Sequence, residues 1–109
     1  MPETRVGRHA IHSVLSTDPE LQQIVAMFVE EMPNRVARIE RQWDAGDRDE
    51  LRRSAHQLKG ALGSYGFDEL TPHALRLESL LAAEAPPDEV AAAVSELVAY
   101  CRRITATPR

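Results

Sequence analysis

Ala55-His56-Gln57-Leu58-Lys59-Gly60-Ala61-Leu62-Gly63-Ser64-Tyr65-Gly66-Phe67 is the stretch on which the reading of this chain turns. Taken with Leu51 just upstream, Leu51, Ala55, Leu58 and Leu62 recur every three or four residues, the spacing of one buried helix face. At about 100° per residue, His56 points roughly 130° away from that face, toward solvent. Lys59, Gly60 and Gly63 follow on the same side at i+3, i+4 and i+7, and Arg52 and Arg53 lie one turn before it. A glycine inside a helix costs ~1 kcal/mol relative to alanine. Two of them beside a solvent-facing imidazole point to the close approach of another molecule.

Working outward, Asp47 is placed to cap this helix, with Glu50 at the reciprocal capping-box position. Gly46 is placed to end the preceding helix in a left-handed conformation, and Gly66 to end this one. Upstream, Thr17-Asp18-Pro19-Glu20 is a helix start: Asp18 can cap, Pro19 suits the first helical position, and Thr17 with Glu20 has capping-box spacing. Behind it one apolar stripe runs through Leu21, Val25, Phe28, Met32, Val36, Ile39 and Trp43. Pro33 leaves that stripe in phase, so the spacing predicts one long helix bent near Pro33, or two nearly coaxial ones.

Downstream, Asp68 to Leu70 reads as a turn, and Thr71-Pro72 repeats the cap-then-proline signature ahead of Ala74, Leu77 and Leu81. Pro86-Pro87-Asp88 breaks the chain and opens a last helix with Val90, Val94, Leu97, Cys101 and Ile104 inward. Four amphipathic helices with short connections predict an all-α fold, an antiparallel up-and-down four-helix bundle held by its facing stripes. Residues 1–10 are polar and aperiodic and read as a frayed arm. Ile11, Val14 and Leu15 could form a short amphipathic turn that acts as a lid. The expected division is arm and lid at 1–16, bundle at 17–105 and tail at 106–109.

Composition narrows the function classes. A chain of 109 residues holds one domain. Apolar residues at 43%, charged at 28% and aromatic at only 5% favour a soluble helical protein. The net charge of −4 argues against a nucleic-acid-binding surface. Cys101 is the single cysteine, so an internal disulfide cannot form and a thiolate metal cluster is not expected. There is no apolar run long enough to span a membrane and no secretory h-region, so a cytoplasmic location without membrane partners is expected.

The His56 side of the helix suits phosphoryl chemistry. A neutral imidazole nitrogen is a competent nucleophile near neutral pH. The cations around it offset the charge that the ring acquires with a phosphoryl group. Bare backbone at Gly60 and Gly63 would let a partner bring an aspartate, with its metal ion, close to the ring.

On these residues the chain resembles the histidine-containing phosphotransfer (HPt) domains of two-component phosphorelays, and the related phosphorylated domain of chemotaxis-type histidine kinases. His56, Lys59, Gly60, Ala61 and Gly66 match the family pattern, and the likeness extends through Phe28, Ala45-Gly46-Asp47 and Leu77-Glu78 over most of residues 17–104. The resemblance implies that His56 is phosphorylated, that Lys59 steadies the phosphoryl group, and that Glu78 orients the imidazole. Gly60, Gly63, Arg52, Arg53 and Gln57 would then form the docking surface. Leu62 departs from the small residue that the family often carries there and is read as core packing. The family needs no cofactor or nucleotide pocket of its own. Its members act as phosphocarriers rather than enzymes, exchanging with receiver domains of response regulators or hybrid histidine kinases. A monomer is expected. The starting methionine and the lack of long linkers suggest a stand-alone carrier, with an excised kinase domain as the alternative.

Other classes are weighed against this. A metal-binding bundle would need several inward His or Glu ligands; His9 and His12 are one turn apart but lie in the N-terminal segment ahead of the bundle, and His73 lacks an obvious second ligand. A non-phosphorylated helical adaptor would be expected to have lost His56 or Lys59. A kinase dimerisation domain shows an acidic residue after its histidine and a proline a turn later, where this chain has Gln57 and Ala61.

Overall fold

A computed structural model of the chain describes residues 9–108, so the expectation of a frayed arm falls almost wholly outside the described residues. The order of elements is β1 (Ile11–His12), α1 (Pro19–Asp44), α2 (Arg48–Ser64), a 3-10 turn (Asp68–Leu70), α3 (Thr71–Ala82), α4 (Pro87–Cys101) and β2 (Ile104–Thr105).

α1 begins where the sequence says it should, with the Asp18 carboxylate accepting from the Glu20 N–H at 2.9 Å and Pro19 in the first turn. It runs unbroken through Pro33, whose ring sits on the exposed face. Val25, Phe28, Met32, Val36 and Ile39 are buried, while Leu21 and Trp43 are only partly so. α2 is capped by Asp47, which accepts from the Glu50 N–H at 3.2 Å. The Glu50 carboxylate turns to Arg53 rather than back to the cap.

α1, α2 and α3 end alike. In each, the residue after the C-cap has positive φ and donates to the second-last carbonyl of the helix, and the next residue donates to the one before. Gly46 (φ 72), Gly66 (φ 83) and Glu84 (φ 55) hold those positions. Asp47 N–H reaches Gln42 O at 3.0 Å, Phe67 N–H reaches Leu62 O at 2.8 Å, and Ala85 N–H reaches Leu80 O at 2.9 Å.

α3 departs from its expected start. The 3-10 turn runs straight into it, so Leu70 takes the capping position and Thr71 is already helical. The Thr71 hydroxyl caps nothing and is buried without a hydrogen-bond partner.

Each helix packs against its neighbours in sequence, and α1 also packs against α4, closing a ring of four. Leu51, Ala55, Leu58 and Leu62 from α2 meet Ala74, Leu77 and Leu81 from α3 and Val90, Ala93, Val94, Leu97, Val98 and Cys101 from α4 in one core.

The chain ends differ from expectation. Residues 11–12 form a short strand, not an amphipathic turn, and pair in parallel with β2 in the register Ile11 to Ile104 and His12 to Thr105. Ile104 is inward, as the stripe requires, but from this strand and not from α4. Val14 points out, whereas Ile11, Ser13 and Ser16 are buried, so the packed unit reaches forward of the expected boundary at residue 17. Polar bonds hold this segment down: Ser13 Oγ donates to Tyr65 O at 2.6 Å, Val14 N–H to Gly66 O at 3.0 Å and Arg103 Nε to His9 O at 2.7 Å. Among the described residues no helix is long and apolar enough to cross a membrane.

Candidate functional site

The inward stripe of α2 puts His56 on its outer side, with the side chain 66% exposed. On α3, Leu77 is buried in the core, and the next residue, Glu78, comes up beside α2. Glu78 accepts through both carboxylate oxygens. His56 Nδ1 lies 2.8 Å from Oε2, and Lys59 Nζ donates to Oε1 at 2.8 Å. One carboxylate thus joins the histidine to the lysine one turn further on.

The electrostatics fix the sense of these bonds. The Lys59 ammonium beside Glu78 does most to hold its carboxyl below the ordinary glutamate range; partial burial works against this, and the His56 contact adds to it. Glu78 is therefore an ionised, acceptor-only group at neutral pH. Nδ1 of His56 must carry the hydrogen that it shares with Glu78. In the neutral ring that leaves Nε2 with its lone pair, on the side away from α3.

The helix surface that follows His56 is open. A Cβ built on Gly60 would meet nothing within 4 Å, and one on Gly63 would meet only Asp68 Oδ1 at 3.9 Å. These two glycines keep the surface low and are not required by packing. Gly66 differs in kind: a Cβ there would run into the Ser13 hydroxyl and lie 2.9 Å from Leu15 Cγ. Its place in the motif is explained by the turn and by the N-terminal segment laid over it. Leu62 is fully buried.

Arg52, Arg53, His56, Gln57 and Glu78 line one shallow recess. The two arginines are not equivalent within it, because Arg53 is paired with Glu50. The Lys59–Glu78 bond was not foreseen, since spacing tells which residues share a face of one helix but not which side chains meet across two. Arg35 and Arg38 of α1, which border Gln57, also escaped notice for that reason. The remaining histidines stand apart. His12 Nδ1 lies 2.7 Å from Thr107 O, and His73 stacks on Tyr100 with ring centroids 4.1 Å apart. Among the described residues no three His, Cys, Asp or Glu side chains are grouped to hold a metal ion.

The site is thus one exposed histidine on the second helix of a four-helix bundle, held through Nδ1 by a carboxylate from the third. The family model described as the Hpt domain matches residues 23–107, and the chain belongs to that family, the histidine phosphotransfer modules of two-component phosphorelays. Neither the curated proteins nor the solved structures include a match to the chain.

Proposed function

We propose that His56 is the phosphorylated residue, exchanging a phosphoryl group with the aspartate of a receiver domain. The observation that carries this reading is the bond from His56 Nδ1 to Glu78, which leaves Nε2 as the nucleophile on an exposed ring beside bare backbone. In the forward step the Nε2 lone pair forms the N–P bond as the P–O bond of the receiver's acyl phosphate breaks. The bonding pair returns to the receiver carboxylate, and Nδ1 keeps its proton. The ring becomes positive as the N–P bond forms, and the Glu78 carboxylate 2.8 Å away stabilises that charge. The reverse step runs through the same arrangement.

Lys59 then has two anions within its range: Glu78 in the resting state and the phosphoryl oxygens once they arrive. Gly60 and Gly63 clear the approach, and Arg52, Arg53 and Gln57 border it. The partner supplies the activated phosphoryl group, and this chain serves as carrier rather than enzyme. The short connections and the ring of helix contacts support the antiparallel up-and-down arrangement of the bundle.

The test is incubation with a panel of phosphorylated receiver domains. Acid-labile, base-stable label should appear on the wild-type chain. It should be absent from His56→Gln, whose helicity and melting should be nearly unchanged because the ring is exposed. Retained label in that variant would refute the assignment.

A further inference from the structure

Beside the His56 recess, on the seam between α1 and α2, lies a second small crevice lined by Arg35, Arg38, Ile39, Ser54, Gln57 and Leu58. Gln57 forms part of both walls, so the two features adjoin across the outer face of α2. The crevice, about 10 Å³, has room for about one water molecule. Arg35 is held in place from below, its guanidinium 5.4 Å from the centre of the Phe28 ring, which is itself stacked on Tyr65. Its Nε is shut off from solvent and has no hydrogen-bond partner. Arg38 is exposed, and among the described residues neither arginine takes part in an ion pair.

This is an unusual place to find uncompensated positive charge. The whole chain carries −4. Around His56, however, Glu50 is paired with Arg53 and Glu78 with Lys59, and among the described residues Arg35, Arg38 and Arg52 form no ion pair. A partner covering ~800 Å² of this surface would be roughly 30 Å across. That comfortably exceeds the ~10 Å between packed helices, so a protein seated over His56 also covers Arg35 and Arg38.

We infer that Arg35 and Arg38 form a second, electrostatic half of the docking surface, which receives carboxylates carried by the receiver about one helix width from its reacting aspartate. This rests on the reading of His56 as the phosphorylated residue. It adds that recognition is asymmetric: α1 draws in an acidic partner face while α2 presents the histidine.

The experiment uses the receiver that labels the wild-type chain fastest in the panel, at sub-saturating concentration, in low and in high salt. Arg38→Glu should slow transfer about tenfold in low salt, because rim charges act mainly on the association rate. The difference should shrink in high salt, as screening shortens from ~30 Å at 0.01 M to ~3 Å at 1 M. Arg35→Gln should slow transfer in the same salt-dependent way, with helicity checked by circular dichroism. Should Arg35→Gln lose helix, the exposed Arg38 decides the matter alone. The control is Arg102→Glu, a charge reversal beside Glu40 on the α1–α4 side, which should leave transfer unchanged. If Arg38→Glu behaves like this control, or its defect ignores salt, the inference is overturned while His56 stands. If no receiver labels the wild type, the His56 reading falls and the inference falls with it.

Discussion

Glu78 ties the site together, because among the described residues it alone binds both His56 and Lys59. Its carboxyl titrates below the ordinary glutamate range in the folded chain, chiefly through Lys59. A group with a depressed folded pKa contributes stability above its unfolded value, ~4.3 for glutamate, and loses it as pH falls through the lower folded value. Wild type should therefore be more stable than Glu78→Gln near neutral pH, with the gap closing as the solution is acidified below that range. Urea melts at a series of pH values measure it, and a gap independent of pH would show that the ionised carboxylate contributes nothing. Glu78→Gln keeps an acceptor for Nδ1–H but not the charge that balances the phosphorylated ring. Its phosphotransfer should accordingly be slower than wild type and faster than that of Glu78→Ala, which loses both.

At the scale of the helices, three endings share one geometry and differ in the residue that fills it. Gly46 has open space around it, so Gly46→Ala should cost only the backbone term, ~1 kcal/mol. Gly66→Ala adds a collision with Ser13 and Leu15 and should cost at least ~2 kcal/mol. Glu84 is a side chain in a conformation that favours glycine, so Glu84→Gly should stabilise by up to ~1 kcal/mol. Chemical denaturation of the three variants orders them, and equal losses at Gly46 and Gly66 would remove the role assigned to the N-terminal segment. Gly63→Leu should leave the fold intact but weaken receiver binding, since the added atoms rise from open helix surface on the face proposed for docking. An unaltered dissociation constant would show that the clearance is not used. Most of this scale was legible from the sequence. Apolar spacing, Asp18, Asp47 and the glycines placed the helices because those signals are local. Thr71 misled because a capping signature describes only a helix that starts from extended chain, and here a 3-10 turn feeds α3.

For the molecule as a whole, what the sequence could not show was contact between distant segments. Two residues at each end are too few for alternation to declare a strand, so the pairing of Ile11 with Ile104 has no local signature. The same holds for Glu78 with Lys59: each residue was singled out, but their meeting depends on how α2 and α3 are packed. The end pairing is testable by a double-mutant cycle. Ile11→Ala should cost about 2–4 kcal/mol as a buried aliphatic truncation. Combined with Ile104→Ala it should cost less than the sum, with a coupling of at least ~0.5 kcal/mol between neighbours. Strict additivity in urea melts would mean that the two ends do not pack together in solution.

That parallel pairing brings the beginning and the close of the folded unit side by side, heading the same way. The two strands lie about 5 Å apart, with the chain entering at one end of this short pair and leaving at the other. A longer polypeptide could thus carry the unit as a side branch, looping out and returning without spanning it. Cutting at an exposed connection such as Pro86-Pro87 and splicing the adjacent ends should give a circular permutant that still presents His56.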